Sequence, residues 1–178
     1  TGSAFGMHLD RLKVKGVDAS TGSLGHGLGI ANVMAHGARL LGKTWRTYVL
    51  LGDGELKGGP TWEAAMAAGH FKLVNLTAFV DRNHFCIDGA TEDIMSLEPL
   101  KEKWTAFGWN VLDIDGHDFA QICQAIEAAH EERERPTVII ANTIKGKGVD
   151  FMENEASWHY GGLDEAMQEQ ALEALRKE

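Results

Sequence analysis

The composition of this 178-residue chain excludes several classes of protein. A net charge of −9 at pH 7 argues against a surface that binds nucleic acid or anionic membranes. Apolar residues make up 44% of the chain, without an uninterrupted run near the roughly 18 residues that suggest a membrane span. Two cysteines, Cys86 and Cys123, are too few for a disulfide framework and fit a reducing cytosol. We therefore expect a single-domain, cytoplasmic protein.

The chain alternates patterns that are typical of helices and of strands. Apolar residues three and four positions apart predict helices, and short β-rich runs between turn residues predict strands. In chain order we first predict a loop over residues 1–22 and a helix from Leu24 to Leu41, with both of these leucines on its buried face. A strand over 47–52, a helix over 60–72, a strand over 76–81 and a helix that is capped by Ser96, has Pro99 in its first turn and ends near Phe107 should follow. The remaining predicted elements are a strand over 111–114, a helix capped by Asp118, a strand over 137–141 and an amphipathic helix from Leu163 to Leu175. This alternation predicts an α/β fold, with a doubly wound parallel sheet and helices on both faces.

Two polar motifs follow neighbouring predicted strands. Gly52-Asp53-Gly54-Glu55 follows the first strand, and Asp81-Arg82-Asn83 follows the second. A strand, a crossover helix and a second parallel strand take about 30 residues, which matches the spacing from Asp53 to Asn83. These two side chains should therefore lie side by side at the C-terminal ends of adjacent strands, where open α/β sheets bind ligands.

The chemistry of these motifs indicates a metal-bridged diphosphate. Carboxylate and amide oxygens suit Mg²⁺ or Ca²⁺, which can fill their remaining positions with water and phosphate oxygens. Gly52 and Gly54 allow a tight turn and a close approach of the backbone to a phosphate. An ordinary strand-end turn is the alternative, because a Gly-Asp-Gly sequence by itself is common in loops. The Asn at the next strand end favours the metal site.

The motifs and the segments around them resemble the transketolase family. GDGELKGG followed by DRN is similar to the thiamine-diphosphate motif, and the resemblance covers essentially the whole chain. Its ordered segments are TGSLGHGLG from Thr21, GDGELKGGPTWEAAMAAGHF from Gly52, NHFCIDG from Asn83, NTIKGKG from Asn142 and SWH from Ser157. It implies transfer of a two-carbon ketol unit from a ketose phosphate to an aldose phosphate, with thiamine diphosphate and Mg²⁺ (or Ca²⁺) as cofactors.

The same resemblance implies roles for particular residues. The metal ligands would be Asp53, Asn83 and the main-chain carbonyl of Phe85. The other implied cofactor contacts and neighbours are Gly22, Leu24, Gly52, Gly54, Glu55, Ile87 and His159. Of these, Leu24 would pack in the bend between the cofactor rings, Gly54 would offer its N–H to the diphosphate, and Glu55 would support the metal loop. Plain core packing is the alternative role of Ile87, and close helix–helix packing by Gly25 and Gly29 is the alternative for the glycine-rich turn that contains Gly22.

Two histidines are the candidate catalytic residues. The resemblance places His159 near the diphosphate and the substrate. His8 keeps the family's spacing to the turn at Gly22, although the family's Gly-His-Pro-Glu/Asp motif lacks its Gly and Pro here. A further departure is Ser23, which stands where the family has Pro. The missing Gly and Pro bear on the conformation of the loop that carries His8.

The resemblance also implies a partner. The family's first cofactor histidine and its pyrimidine-binding domain are not found in this sequence, so we expect a fragment or the N-terminal subunit of a split transketolase. A C-terminal, pyrimidine-binding subunit would then complete composite sites in a homo- or hetero-oligomer. The alternatives are a deoxyxylulose-phosphate synthase-like enzyme, a transketolase specialised for an unusual sugar, and a catalytically dead binding subunit.

Overall fold

The computed structural model describes residues 4–6 and 8–176. The described α-helices are α1 (Gly27–Leu40), α2 (Gly59–His70), α3 (Thr91–Ile94), α4 (Leu100–Ala106), α5 (Phe119–Glu131) and α6 (Glu165–Leu175). The described strands are β1 (Thr47–Gly52), β2 (Leu76–Arg82), β3 (Phe85–Cys86), β4 (Gly89–Ala90), β5 (Asn110–Asp115) and β6 (Thr137–Asn142). None of the helices in the described residues is long and apolar enough to cross a membrane. The predicted loop over residues 1–22 is confirmed where it is described, and residues 1–3 and 7 lie outside that part.

Four parallel strands form the main sheet in the order β1-β2-β6-β5. The predicted α/β class with a parallel sheet flanked by helices is therefore confirmed. The strands align so that Leu51 of β1, Val80 of β2 and Ile140 of β6 form one row across the sheet. All three side chains are buried, because side chains on a strand alternate between the two faces and this row points into the core. A separate antiparallel hairpin pairs β3 with β4.

Helices α1, α2 and α4 cover this face of the sheet. Their contribution to the core is mostly alanine and leucine, with Trp104 of α4 at the edge of the cluster beside the fully buried Trp109. The two indole rings meet edge to face with centroids 5.0 Å apart, and Trp109 donates its ring N–H to the carbonyl of Ala65 in α2. A buried indole needs such an acceptor, so Trp109 fixes α2 against the end of α4. Helix α5 contacts β5 beyond this cluster.

The start of α1 differs from the prediction. The helix begins at Gly27 and not at Leu24, because Gly25 adopts a φ of +80° that a right-handed helix cannot contain. Leu24 is consequently 75% exposed, and Leu41, just beyond the C-terminus of α1, is 66% exposed. The expectation that both leucines are buried was wrong, whereas the other predicted apolar positions of the helix, Leu28, Ala31, Ala35 and Ala38, are buried.

The start of α4 also differs from the prediction. Ser96 does not cap the helix, since its hydroxyl donates to the Glu92 carboxylate at 2.6 Å. The helix begins at Leu100, whose N–H donates to Glu98 at 2.8 Å, and Pro99 precedes the first turn. By contrast, Asp118 caps α5 as predicted, because its carboxylate accepts from the N–H groups of the first helical turn.

Two glycines in helices have opposite surroundings and make a matched test of the packing. A Cβ on Gly69 of α2 would lie 1.9 Å from the carbonyl oxygen of Phe107, whereas a Cβ on Gly37 of α1 would meet no atom within 4 Å. Gly37→Ala should stabilise the fold by about 1 kcal/mol through helix propensity. Gly69→Ala should destabilise it by about 1–3 kcal/mol, because the carbonyl is backbone and cannot rotate away.

Urea denaturation of the two variants measures both effects. The packing of α2 against the end of α4 would be contradicted by equal, stabilising shifts of the unfolding midpoint in Gly69→Ala and Gly37→Ala.

Candidate functional site

The two polar motifs meet at the C-terminal edge of the main sheet. Gly52 of β1 is paired with Asp81 of β2, and the N–H of Asp53 donates to the carbonyl of Asp81 at 3.2 Å. Asp53 and Asn83 therefore follow adjacent parallel strands, which is the arrangement that their spacing predicted. The open end of a parallel sheet is where α/β folds place their ligands.

The Asp53 carboxylate is buried and only half satisfied. Its side chain is 1% exposed, and Oδ2 accepts from Arg82 Nη1 at 2.9 Å, from the His84 N–H at 2.8 Å and from the Thr91 hydroxyl at 3.3 Å. Its other oxygen, Oδ1, is equally buried and has no hydrogen-bond partner among the residues that the structure describes. An unpaired buried carboxylate oxygen is costly unless it has a cationic or hydrogen-bonding ligand. Oδ1 therefore fits a metal ligand.

Asn83 is oriented by contacts on both sides of its amide. Its Nδ2 donates to Asp81 Oδ2 at 3.1 Å, and its Oδ1 accepts from the Phe85 N–H at 3.0 Å. The Thr143 hydroxyl donates to the other oxygen of Asp81 and so fixes that carboxylate. The Asn83 oxygen is consequently directed toward the start of the β3–β4 hairpin, and a carbonyl oxygen can accept a second ligand there.

Gly54 keeps the strand end open where the hairpin approaches. A Cβ on Gly54 would lie 3.0 Å from the Cβ of Cys86 and 4.0 Å from the carbonyl oxygen of Phe85. The Phe85 carbonyl is thus beside the Gly54 backbone, and the N–H of the same residue donates to the Asn83 side chain. Gly52 is different, because a Cβ there would meet no atom within 4 Å.

The donor set is one of hard oxygens. In the described part of the chain, no group of three or more His, Cys, Asp or Glu side chains could hold a metal ion. One carboxylate, one amide and one main-chain carbonyl lie outside that definition, and they suit Mg²⁺ or Ca²⁺ with water and phosphate as further ligands. The residues present therefore fit the metal and diphosphate that the sequence implies.

Glu55 joins the metal loop to a second segment of the site. Its Oε1 accepts from the Gly25 N–H at 3.0 Å, and its Oε2 accepts from the Gly52 N–H at 3.1 Å. One carboxylate therefore ties the turn before α1 to the end of β1. This contact gives a physical basis for the supporting role expected of Glu55.

The turn before α1 borders an open cleft of about 480 Å³. Gly22 and His8 meet there, since a Cβ on Gly22 would lie 3.0 Å from Cγ of the His8 ring. Leu24 and Glu55 also line the cleft. The structure thus brings His8, Gly22, Leu24 and Glu55 together. Ile87 is 61% exposed on the hairpin and is absent from the lining of this cleft.

His159 lies within electrostatic reach of the metal loop. It ends a 3₁₀ turn over Ala156–His159, which contacts the β3–β4 hairpin. Burial is the main cause that lowers the pKa of His159, and the charge of Lys145 lowers it further, while Asp53 opposes both by raising the pKa. The imidazole is therefore neutral at pH 7, with both an N–H donor and a nitrogen acceptor available.

Sequence reasoning missed three residues that shape this site. Arg82 stood inside the Asp81-Arg82-Asn83 motif, and a charged residue at the end of a buried strand was a signal that could have singled it out. Thr91 and Thr143 gave no such signal, because their contacts to Asp53 and Asp81 span 38 and 62 residues.

The charges around His159 give a test of its position. In the metal-free protein, Lys145→Met should raise the pKa of His159 while leaving it below 6.5, because burial remains; Asp53→Asn should lower it further. Titration of the histidine ring signals by NMR measures both shifts. Lys147→Met is the matched control, since Lys147 is not among the causes of the shift.

The pH dependence of stability follows with a definite sign. Because the pKa of His159 is lower in the folded than in the unfolded state, its contribution to the free energy of unfolding is present above about pH 6.5 and is lost as the pH falls through the folded-state pKa.

The NMR titration has an outcome that would contradict the assignment. A His159 pKa that responds to neither Lys145→Met nor Asp53→Asn would place this imidazole away from the metal loop.

Comparison with known proteins gives the same family as the motifs. The family model described as transketolase, thiamine diphosphate binding domain, matches residues 1–177. A relative from Phocaeicola vulgatus, named as one subunit of an apulose-4-phosphate transketolase, is 42% identical over 94% of this chain and 62% of its own length. A 6-deoxy-6-sulfo-D-fructose transketolase subunit from a Clostridium species is 43% identical over 99% of this chain and 64% of its own length.

A solved structure agrees with these sequences. The crystal structure of transketolase from Campylobacter jejuni superposes with a TM-score of 0.85 at 33% identity, over 90% of this chain and 26% of that one. The chain thus spans somewhat more than three fifths of the length of the two subunit relatives and about a quarter of that solved transketolase. With the family model matched from residue 1 to residue 177, this chain belongs to the transketolase family and contains its thiamine diphosphate binding domain.

Proposed function

We propose that this chain is the diphosphate-binding part of a transketolase that moves a two-carbon ketol unit from a ketose phosphate to an aldose phosphate. The observation that carries the proposal is the buried, unpartnered Oδ1 of Asp53 beside Asn83 at the open end of the sheet. A family member without cofactor chemistry would have no use for an unpaired buried carboxylate oxygen, which is costly to maintain.

The residues of the metal loop have separate tasks in this proposal. Asp53, Asn83 and the Phe85 carbonyl hold a Mg²⁺ or Ca²⁺ ion, and Gly54 offers its N–H to the diphosphate. Thiamine diphosphate, when bound, supplies the carbanion chemistry that ketol transfer requires. Glu55 keeps the loop and the turn at Gly25 at a fixed separation through its two hydrogen bonds.

The turn before α1 and the two histidines, His8 and His159, complete the part of the active site that this chain supplies in the proposal. Gly22 and Leu24 contact the ring portion of the cofactor from the cleft that they line, and Ile87 packs against the cofactor from the hairpin. His159 is neutral and can donate a hydrogen bond to a diphosphate or sugar oxygen. His8 faces Gly22 and acts on the substrate side.

A pyrimidine-binding domain is supplied by a partner subunit in this proposal. Both relatives named above are described as subunits of transketolases, which supports a division of the enzyme between two chains. Helix α1 also presents Ile30, Val33 and Met34 on its surface, with exposures of 37%, 73% and 39%. A contiguous apolar surface of this kind marks an interaction site, so composite active sites in an oligomer are part of the proposal.

Three alternatives remain within the same fold. One relative is named for a phosphorylated sugar and the other for a sulfonated sugar. This difference favours a transketolase that is specialised for an unusual sugar. Trp158-His159-Tyr160-Gly161-Gly162 and the segment 142–148 favour transketolase over a deoxyxylulose-phosphate synthase-like enzyme. A catalytically dead subunit is the third alternative, and the intact pair Asp53 and Asn83 argues against it.

Removal of the negative charge of the candidate metal ligand tests the proposal. Asp53→Asn should weaken binding of thiamine diphosphate in Mg²⁺ buffer at least ~10–100-fold, the loss typical of even an outer-shell metal partner. Calorimetry on the complete enzyme measures this affinity. Asp118→Asn is the matched control, because Asp118 caps α5 and has no contact with the metal loop. Unchanged affinity in Asp53→Asn would reject the metal assignment.

Reconstitution tests the composite site. Residues 1–178 alone should bind thiamine diphosphate weakly and show no ketol transfer, because the pyrimidine ring must be held by another domain. Addition of the pyrimidine-binding partner should restore tight binding and activity together. Robust ketol transfer by residues 1–178 without a partner would overturn the composite site.

A further inference from the structure

A buried arginine connects the metal loop with a segment that the proposed chemistry does not use. Arg82, the last residue of β2, is 2% exposed and contacts three carboxylates. Its Nη1 donates to Asp53 Oδ2 at 2.9 Å, and its Nη2 donates to Glu92 Oε1 at 2.7 Å and to Glu98 Oε1 at 3.0 Å. A buried guanidinium with this many acceptors is fixed in position and orientation.

The two glutamates are themselves held in place. Glu92 accepts from the Ser96 hydroxyl at 2.6 Å, and this hydrogen bond is the main cause that lowers the pKa of Glu92 to about 2. Glu98 accepts from the Leu100 N–H at 2.8 Å, which is the main cause of its own lowered pKa. Both carboxylates are thus ionised at neutral pH, and the segment 92–98 forms an anionic support behind Arg82.

We propose that Arg82 is a positioning residue for the metal-binding carboxylate of Asp53. By engaging Oδ2, it turns the carboxylate so that Oδ1 is left for a divalent cation, while Glu92 and Glu98 hold the guanidinium from behind. This inference rests on the proposed function, because it takes Asp53 as a metal ligand. The segment 92–98 lies beyond the motifs that contain the candidate metal ligands, and this inference gives it an indirect part in metal binding.

The charges of the cluster agree with a divalent cation. Arg82 contributes +1, and Asp53, Glu92 and Glu98 contribute −3, so the group has a formal charge of −2. One divalent ion at Oδ1 would neutralise this group. Arg82 is therefore not a surplus positive charge beside the metal, since its own charge is more than balanced by the three carboxylates.

Two effects of removing Arg82 oppose each other. Loss of a nearby cation relieves repulsion of the metal, which strengthens binding. Loss of the charged contact leaves Oδ2 of Asp53 with the His84 N–H and the Thr91 hydroxyl alone, so the carboxylate is held less firmly and binding weakens. Glu92 and Glu98 are 36% and 56% exposed, so water screens the two negative charges that Arg82 no longer balances and reduces the gain in attraction for the metal. Asp53 is 1% exposed and cannot turn to water. The loss of positioning should therefore dominate.

The test measures Mn²⁺ binding in the complete enzyme with thiamine diphosphate, by the electron paramagnetic resonance signal of free Mn²⁺. Arg82→Met should weaken Mn²⁺ binding ~10–100-fold, as outer-shell partners of metal ligands typically do. Arg39→Met is the matched control, because Arg39 of α1 donates to the main-chain carbonyls of Phe71 and Lys72, just beyond the C-terminal end of α2 and away from the metal loop. The control should keep the wild-type Mn²⁺ affinity within about twofold, the scatter expected of a distant site.

The possible results separate this inference from the proposed function. Wild-type or tighter Mn²⁺ binding by Arg82→Met overturns the positioning role and leaves the metal site standing. Absence of Mn²⁺ binding in the wild-type enzyme overturns the proposed function and this inference with it. Thermal unfolding of both arginine variants without metal separates a general loss of stability from a loss of metal affinity.

A conservative variant gives a second measurement. Arg82→Lys keeps the charge but has a single ammonium in place of the planar fork, and it cannot serve Asp53 and both glutamates in the same geometry. Its Mn²⁺ affinity should lie between those of the wild type and Arg82→Met. If Arg82→Met fails to fold, Arg82→Lys decides alone: an affinity equal to that of the wild type overturns the proposal.

Discussion

The structure depends on how one buried carboxylate is satisfied. Asp53 is placed at the end of β1 by the parallel register with β2, and three donors approach its Oδ2 from Arg82, His84 and Thr91. Its Oδ1 has no hydrogen-bond partner within residues 4–6 and 8–176. A buried oxygen without a partner is costly, and this cost constrains the surrounding residues. They must leave the edge of the sheet open for a ligand at Oδ1 while they hold Oδ2 firmly.

The surrounding segments meet that constraint from both sides. Glu55 joins the end of β1 to the turn before α1, and Arg82 joins the end of β2 to the segment 92–98. Each link uses a carboxylate or guanidinium that makes several hydrogen bonds at once, which gives more rigidity than separate single contacts. The proposed cofactor site is thus fixed by neighbouring strands of one sheet, and its loops are tied to those strands.

The main sheet and the placement of Asp53 beside Asn83 were predictable from the sequence, whereas the residues that support them were not. The patterns of β1 and β2 and the 30-residue spacing from Asp53 to Asn83 are local in the sequence. They therefore predicted correctly that both residues lie at the C-terminal edge of the sheet. Ser96 was taken for a helix cap because capping is also a local pattern, but its hydroxyl is bound by Glu92. The network of Arg82 could not be predicted, since its partners lie 10 to 29 residues away along the chain. An oxygen without a partner is likewise visible only in three dimensions.

The central claim is that Asp53 Oδ1 binds a divalent metal that bridges a diphosphate. A crystal structure of the complete enzyme with Mn²⁺ and thiamine diphosphate, with the metal located by anomalous scattering, tests it most directly. We predict one Mn²⁺ peak within bonding distance of Asp53 Oδ1, Asn83 Oδ1 and the Phe85 carbonyl oxygen, with diphosphate oxygens as further ligands. A Mn²⁺ peak elsewhere, with Asp53 Oδ1 paired to a protein donor or a water molecule, would contradict the claim.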